Sequence, residues 1–314
     1  MRSTDSPPPT IIGLSEYLEA IGMDPWIPDA AVACEVCGGA GAEPLREAIR
    51  VTEEVWVRFA VVACQRCGFL YQTPRFAPAF YRDYYARTYR EVTFGERTPT
   101  EDYVANQIAR GALLADNLGD RLPPPGRLLD VGCAAGGLMK PFIDRGWSAL
   151  GVDPDEEAVT HGANVLGLPV VLQAAEELDV DAEAFDLIII TGSLEHVYDP
   201  NAVLERCRRA AAPGSLLVLE GHGLGQAESL HAMGHNHRRY LTQTSLELLM
   251  LKHGWTPELT TTRALCGPSR PGSVFALGRR ADPLSPAALE AAIAGGRRDP
   301  PDQVRRRLDA LGIR

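Results

Sequence analysis

The stretch Leu128-Leu129-Asp130-Val131-Gly132-Cys133-Ala134-Ala135-Gly136-Gly137 decides the fold. An apolar run ends in an acid and enters a glycine-rich turn, which is typical of a β-strand that leads into a helix at a nucleotide-type site. A second apolar run ends in Gly151-Val152-Asp153-Pro154, with Asp153 placed 23 residues after Asp130. Two strands that each end in a carboxylate predict an α/β sheet that binds an adenosine-bearing cofactor.

The residue types in this stretch indicate what the site can bind. Gly132 and Gly136 carry no Cβ, so the backbone can turn tightly and approach a ligand. Asp130 can accept a hydrogen bond from a cationic amine, and a carboxylate at Asp153 suits the two hydroxyls of a ribose. Ala134 stands where a dinucleotide fingerprint has its middle glycine, so a pyrophosphate cradle is not predicted.

Strands and helices alternate on both sides of this motif. The alternation predicts an α/β fold, a Rossmann-like doubly wound sheet with helices on both faces. The predicted strands are 127–131, 148–152, 169–172, 185–190, 215–220 and 273–279. The predicted helices are 11–21, 103–118, 136–145, 155–166, 201–211 and 243–253. We divide the chain into a tail with a short helix (1–33), a cysteine module (34–75), a tyrosine-rich helical cap or lid (76–122), the cofactor domain (123–281) and a C-terminal helical tail (282–314).

Four cysteines in the first quarter of the chain form two closely spaced pairs. Cys34-x-x-Cys37 and Cys64-x-x-Cys67 are separated by 26 residues, and each pair continues into a glycine. Paired knuckles of this kind bind one tetrahedral Zn²⁺ through four thiolates. Because four protein ligands leave no open coordination position, we predict a structural zinc that helps a small segment to fold.

Composition limits the classes of partner. The 314 residues carry a formal net charge of −10, from 31 basic and 41 acidic residues, which disfavours nucleic acid as the main partner. No apolar run approaches the length of a membrane span, and residues 1–10 lack the apolar core of a signal peptide. We therefore expect a cytoplasmic protein that acts on a small molecule and does not associate with a membrane. The oligomeric state stays open.

The motif Asp130-x-Gly132-x-x-x-Gly136 resembles motif I of class I S-adenosylmethionine-dependent methyltransferases. Three later segments are similar to the same family in the same order, namely residues 173–178, 185–197 and 213–219. The resemblance covers roughly residues 127–280 and implies S-adenosylmethionine as the cofactor. The cofactor-binding residues that it implies are Asp130, Gly132, Cys133, Gly136, Asp153, Pro154, Ala175, Glu176, Thr191 and Leu194. Ala174 stands where many members have an aspartate on the adenine amine, so Glu176 or backbone groups would take that role.

A zinc module before such a domain is similar to the N-terminal region of natural-product and deoxysugar C-methyltransferases. The segment His235-Asn236-His237-Arg238-Arg239-Tyr240 resembles their His-Glu-His-x-x-Tyr segment, in which the second histidine is the base. The resemblance implies His237 as a general base with His235 beside it, and Asn236 replaces the family's glutamate. Those enzymes carry a further large C-terminal domain, for which this chain is too short, so the resemblance concerns the architecture more than the substrate.

A tyrosine cluster precedes the cofactor domain. The cluster consists of Tyr81, Tyr84, Tyr85 and Tyr89. At this spacing, the four side chains can share one side of a helix. In many relatives this segment folds over the cofactor as a lid, and a tyrosine such as Tyr85 can shield the sulfonium and bind substrate through its hydroxyl. Core packing between the cysteine module and the sheet is an equally supported interpretation.

Four of the seven histidines lie within 16 residues after the fifth strand: His222, His231, His235 and His237. Histidine titrates near working pH, so it suits removal of a proton from a hydroxyl or an enolisable carbon. Two other interpretations stay open, namely a divalent metal that orients an oxygen-bearing substrate, and a structural role for His235 and Tyr240 in the loop. Glu195 and His196 begin a helix after the fourth strand, where a structural role is at least as well supported as a catalytic one.

Together these features predict an S-adenosylmethionine-dependent methyltransferase. Its acceptor would be a natural-product or sugar-like intermediate, methylated on carbon or oxygen. An RNA methyltransferase would instead need a basic face across the cysteine module and the tyrosine segment. A non-transferase enzyme on the same fold would bind the cofactor without forming S-adenosylhomocysteine.

Overall fold

The computed structural model describes residues 10–24, 26, 32–51, 54–223, 236–270 and 272–310. His231, His235 and residues 1–9 lie outside these ranges. The strands are β1 (Thr10–Ile12), β2 (Ala42–Arg46), β3 (Ile49–Arg50), β4 (Val55–Val57), β5 (Val61–Cys64), β6 (Leu70–Gln72), β7 (Arg127–Val131), β8 (Ser148–Asp153), β9 (Val170–Leu172), β10 (Phe185–Thr191), β11 (Ala211–His222), β12 (Arg239–Tyr240), β13 (Trp255–Thr261) and β14 (Ser273–Arg280). The α-helices are α1 (Leu14–Ala20), α2 (Pro78–Arg87), α3 (Tyr89–Phe94), α4 (Glu101–Leu118), α5 (Lys140–Ile143), α6 (Glu156–Asn164), α7 (Pro200–Ala210), α8 (Gln243–Lys252), α9 (Pro286–Ala294) and α10 (Pro301–Ala310).

Within the described residues, the largest sheet has seven strands in the order β13-β14-β11-β10-β7-β8-β9. Strands β11, β10, β7, β8 and β9 are parallel, and β14 runs antiparallel between β11 and β13. The order reverses at β7, so the carboxyl ends of β7, β8 and β10 open onto one crevice. The sheet confirms the predicted Rossmann-like α/β fold.

The central strands are apolar throughout because both faces of the sheet are covered. Leu187 and Ile189 of β10 pack into one hydrophobic cluster, whereas Ile188 and Ile190 pack into the other. All four side chains are fully buried. This alternation between two cores is what a parallel sheet between two helical layers requires.

Two elements of this domain differ from the sequence-based prediction. The helix expected at 136–145 is a 3₁₀ turn, Gly137–Met139, followed by the single turn of α5. Gly146 has a φ of +93°, which ends the helical conformation. Strand β13 was not predicted, because Pro257 and a register shift between Pro257 and Leu259 interrupt its alternation at the edge of the sheet.

The tyrosine cluster also differs, because its members lie on two helices. Tyr81, Tyr84 and Tyr85 lie on α2, and Tyr89 begins α3 after a break at Thr88, where φ is −121°. The rings still contact one another, with 4.8 Å between the centroids of Tyr85 and Tyr89. Tyr81 and Tyr84 are buried, whereas Tyr85 and Tyr89 are only partly buried. Packing therefore accounts for the first two, and the other two border the crevice.

The cysteine module is a small antiparallel sheet that includes a strand from the cofactor domain. Strands β2, β5 and β6 are joined by β12, in the order β12-β6-β5-β2. The C-terminal tail packs on the same module, since the backbone N–H of Asp299 donates to the carbonyl of Cys67 at 3.1 Å. No helix in the described ranges is both long enough and apolar enough to cross a membrane.

Candidate active site

The glycine-rich turn after β7 needs its glycines for both conformation and space. Gly132 and Gly136 have φ angles of +81° and +79°. A Cβ on Gly132 would lie 2.4 Å from the Cβ of Ser193, and one on Gly136 would lie 2.7 Å from a methyl of Val170. The turn is therefore packed closely against these two side chains, and its left-handed backbone favours glycine at both positions.

Asp153 ties the end of β8 to this turn. Its Oδ2 accepts a hydrogen bond from the backbone N–H of Ala134 at 2.7 Å, and its Oδ1 accepts one from Asp155 at 2.9 Å. Ala134 has a φ of +49°, a strained value for a residue with a side chain. Burial raises the pKa of Asp153 to about 6, against the lowering effect of the two backbone bonds.

Asp130 is a buried carboxylate that lacks a partner. Its exposure is 1%, and neither oxygen has a hydrogen-bond partner among the residues that the structure describes. Burial, followed by the neighbouring charge of Asp153, raises the pKa of Asp130 to about 7. Buried polar groups are normally satisfied, so this carboxylate fits a site whose cationic partner arrives with the ligand. The amine of S-adenosylmethionine has that chemistry.

The other predicted cofactor residues lie near the carboxyl ends of β7 to β10, and they differ in burial and in hydrogen-bond partners. Cys133 packs under the turn, where its Sγ would lie 2.6 Å from a Cβ on Gly151. Glu176 Oε1 accepts hydrogen bonds from the backbone N–H groups of Tyr198 and Asp199 at 2.6 and 3.4 Å, so that oxygen serves the start of α7. Asp153 is nearly buried, as are Cys133, Ala175 and Leu194, whereas Thr191 is half-buried at the end of β10.

An ion cluster at the end of β11 was not predicted. Glu220 is fully buried and accepts hydrogen bonds from Arg110 at 3.0 Å, Arg270 at 3.4 Å and Ser273 at 2.7 Å. Burial alone would raise the pKa of Glu220, but Arg270 and Arg110 hold it below its usual range. The sequence did contain a signal for a functional carboxylate here, since Glu220 follows an apolar run just as Asp130 and Asp153 do.

Arg270 covers the turn that follows β10. A Cβ on Gly192 would lie 1.6 Å from the Nη1 of Arg270, so the guanidinium rests directly on this glycine. The side chain keeps 23% of its surface exposed. Gly192 is therefore required for the arginine to reach the crevice, and the arginine brings a cation to the carboxyl edge of β10.

A series of aromatic rings runs from His196 to Tyr103. Centroid distances are 6.2 Å from His196 to Tyr89, 5.9 Å from Tyr89 to Phe94 and 5.4 Å from Phe94 to Tyr103. The guanidinium of Arg90 lies 5.3 Å from the ring of Tyr103 and pairs with Asp155 at 3.1 Å. The tyrosine-rich segment thus spans from the acidic edge at β8 to the histidines.

Three histidines that the sequence placed in different segments lie together. The ring centroids of His196 and His237 are 4.6 Å apart, and those of His222 and His237 are 5.1 Å apart. The Nδ1 of His196 lies 3.0 Å from the hydroxyl of Tyr85. Tyr85 and His237, both predicted as catalytic, therefore meet through His196. We name Tyr85, Glu195, His196, His222 and His237 the histidine cluster.

The electrostatics around His196 and His222 favour neutral imidazoles at these two residues. Burial, helped by nearby His237, holds the pKa of His196 well below its usual range, and burial with Arg270 does the same for His222. Glu195 accepts the backbone N–H of His222 at 3.1 Å through Oε1, while its buried Oε2 has no partner in the described part of the chain. Burial raises the pKa of Glu195. Neutral imidazoles are the form that can accept a proton.

The four paired cysteines converge as predicted. The Sγ atoms of Cys34 and Cys67 are 3.5 Å apart, and those of Cys37 and Cys64 are 3.4 Å apart. All four sulfurs lie within 4.8 Å of one another. Tetrahedral Zn²⁺ with bonds of about 2.3 Å requires sulfurs about 3.8 Å apart, so the geometry fits one zinc ion.

Comparisons with known proteins agree with this fold. A family model described as a methyltransferase domain matches residues 103–259, which is half of the chain. The ubiquinone biosynthesis O-methyltransferase of Rhizobium etli (strain CIAT 652) is 37% identical over 99 residues, covering 30% of this chain and 40% of that protein. The enzyme of the same name from Cereibacter sphaeroides (strain ATCC 17025 / ATH 2.4.3) is 36% identical over 123 residues, covering 37% and 49%. The chain thus spans less than half the length of these curated relatives.

One solved structure shows the same fold over most of the chain. The 1,6-didemethyltoxoflavin-N1-methyltransferase of Burkholderia thailandensis, with bound 1,6-didemethyltoxoflavin and S-adenosylhomocysteine, aligns with a TM-score of 0.52 at 20% identity. The alignment covers 76% of this chain and 100% of that one. The chain belongs to the methyltransferase-domain family, because that family model matches half of it, and it shares the fold of this solved methyltransferase.

Proposed function

We propose that the protein transfers a methyl group from S-adenosylmethionine to a small natural-product or sugar-like acceptor, on oxygen or carbon, with His237 as the general base. The observation that carries the proposal is the unpartnered, buried carboxylate of Asp130 at the same edge of the sheet as the histidine cluster. The curated relatives are O-methyltransferases by name, which favours oxygen over carbon.

In this proposal, Asp130 and Asp153 bind the cofactor, and His237 transfers the proton. S-adenosylmethionine, when bound, supplies an electrophilic methyl group on a sulfonium. Asp130 would accept a hydrogen bond from its amine and Asp153 from its ribose hydroxyls, and the neighbouring aromatic rings would exclude water. An imidazole nitrogen of His237 would take the proton from the acceptor as the acceptor's oxygen or carbon bonds to the methyl carbon, and S-adenosylhomocysteine would leave as the methyl–sulfur bond breaks. His196, bonded to Tyr85, packs against His237 and restricts its ring.

A titration with S-adenosylhomocysteine tests the cofactor half of this proposal. Asp153→Ala and Asp130→Asn are expected to weaken binding by about tenfold or more, because each removes a charge-assisted hydrogen bond to the ligand. Asp144→Asn is the matched control, since Asp144 is an exposed carboxylate of the same domain. Calorimetric Kd values that are equal for all four proteins would remove Asp130 and Asp153 from the site.

Cofactor binding should also depend on pH. The pKa of Asp130 is raised from 3.8 to about 7 in the free protein, so the folded chain binds a proton there that the unfolded chain releases. The apo protein therefore loses stability from this group as pH rises from about 4 to 7. A cationic ligand needs the carboxylate, so the Kd for S-adenosylhomocysteine should be about tenfold higher at pH 6 than above pH 8. Asp130→Asn should reduce the dependence to the roughly twofold part that Asp153, with a pKa of about 6, contributes, and an unchanged profile in that variant would contradict the assignment.

A catalytic metal is the second candidate for the histidine cluster. One ligand atom each from Glu195, His196 and His237 lies within 4.8 Å of the others, and two histidines with one carboxylate suit a divalent transition metal. Such an ion would orient an oxygen-bearing acceptor and lower the pKa of its hydroxyl. Metal analysis distinguishes the two candidates, because the general-base proposal predicts the same metal content in wild type and His237→Ala. Loss of one ion from that variant would favour the metal.

We further propose that Cys34, Cys37, Cys64 and Cys67 hold a structural Zn²⁺. The convergence of the four sulfurs supports it, and four protein ligands leave no open coordination position, which is typical of a structural zinc. The ion would close the module on which β12 and the C-terminal tail pack.

A further inference from the structure

A buried arginine joins the cysteine module to the histidine cluster. Arg239 follows His237 by two residues, and its side chain has no exposed surface. It lies on β12, the strand that pairs with β6 of the module. Its guanidinium can therefore contact the module on one side and the turn after β10 on the other.

On the module side, Arg239 pairs with a residue that lies between two cysteines. Glu35 stands between Cys34 and Cys37 in the chain. Nε of Arg239 donates to its Oε2 at 2.8 Å, and Nη2 donates to its Oε1 at 2.7 Å. Arg75 donates to the same Oε1 at 2.8 Å. The position of this carboxylate therefore depends on how the first cysteine pair is folded.

On the crevice side, the same guanidinium binds the backbone of the turn after β10. Nη1 donates to the carbonyls of Leu194 and Val197, the latter at 2.7 Å, and Nη2 donates to that of Tyr198 at 3.1 Å. The backbone N–H of Arg238 adds a bond to the carbonyl of Glu195 at 3.0 Å. Glu195 and His196 lie within this turn, so these bonds fix it against the segment that carries His237.

The planar guanidinium of Arg239 explains how one side chain can hold both partners in a fixed geometry. A guanidinium presents five N–H donors in a rigid plane, whereas a lysine ammonium offers a compact charge on a flexible stem. Arg239 uses this plane to bind one carboxylate and three carbonyls at once. A shift of either partner would move the other, and displacement of a catalytic group by about 1 Å can cost about 100-fold in rate.

We infer that Glu35 and Arg239 are positioning residues through which the cysteine module sets the geometry of the histidine cluster. The inference rests on the proposed function only for the catalytic role of His237. The coupling between the cysteine module and the histidine cluster depends only on side-chain geometry, so it can be measured without a methyl acceptor.

The test uses the full-length, zinc-loaded protein with ¹⁵N-labelled histidine rings and the variants Glu35→Gln and Arg239→Lys. The ring resonances of His196 and His237, assigned with His196→Gln and His237→Gln, should shift or broaden in both variants. The zinc content should stay at that of the wild type, and the Kd of S-adenosylhomocysteine should change by less than about twofold. With an acceptor in hand, kcat should fall by about tenfold or more. Arg280→Gln is the control, because it removes an ion pair with Glu183 far from the cluster.

Two results with these variants would overturn the inference. The first is wild-type histidine resonances in both variants with zinc retained. The second is a joint loss of zinc and of cofactor binding, which would show that the pair only supports folding. If a variant does not fold, chelation of zinc from the wild-type protein gives the answer: the resonances of His196 and His237 should change before that of His161, which lies on α6, and an unchanged cluster overturns the inference. Absence of turnover with every acceptor would contradict the proposed function alone.

Discussion

Replacement of His237 by alanine is expected to lower methyl transfer by about 100- to 10,000-fold, the range that general-base catalysis contributes. The imidazole lies in a cluster with His196 and His222, whose pKa values are held low by burial. The variant loses the group that takes the acceptor's proton, but it keeps Asp130 and Asp153. The Kd for S-adenosylhomocysteine should therefore stay within about twofold of the wild-type value.

The matched control for this variant is His253→Ala. His253 lies at the end of α8, where its Nε2 is 2.9 Å from the Oδ1 of Asn201, outside the histidine cluster. Its removal should leave turnover intact. A His237→Ala protein that keeps its kcat but binds the cofactor weakly would reverse the assignment and place His237 in the cofactor site.

The second large effect concerns the zinc module. Cys67→Ser is expected to release the metal and to lower the melting temperature on the order of 10 °C, because binding free energy of a structural zinc is folding free energy. The loss should extend beyond the module, since Cys67 accepts the backbone N–H of Asp299 from the C-terminal tail. Metal analysis and calorimetric melting of the purified protein check both parts.

Cys207→Ala separates the metal from the general cost of removing a buried thiol. Cys207 is fully buried on α7, in the same hydrophobic cluster as the module's cysteines, but it lies apart from the four sulfurs. That variant should keep its zinc and lose about 1 kcal/mol of stability. If Cys67→Ser kept both its metal and its melting temperature, the four cysteines would not form a structural site.

The strands and the turn that end in Asp130, Gly132, Gly136 and Asp153 could be predicted from the sequence because their signals are local. A strand that ends in Asp130, a turn that requires Gly132 and Gly136, and a second strand that ends in Asp153 follow one another directly along the chain. Strand β13 could not be predicted in the same way. Its alternation is broken by Pro257, and only its pairing with β14 makes it a strand.

The arrangement of the histidines depends on tertiary contacts that no local pattern contains. Resemblance indicates His237, whereas the sequence places its neighbour His196 at the start of a helix; the structure instead has His196 in the turn before α7. The two meet because Arg239 holds the turn after β10 against β12. Arg270 was missed for the same reason, since nothing near it in sequence indicates that it covers Gly192.

The most direct test of the central claim follows the methyl group itself. Wild-type protein is incubated with S-adenosylmethionine labelled in the methyl group and with a cell extract separated into RNA and small-molecule fractions. We predict that the label enters the small-molecule fraction with an equal amount of S-adenosylhomocysteine, and that His237→Ala abolishes both. Label in the RNA fraction, or tight cofactor binding without any S-adenosylhomocysteine, would contradict the account.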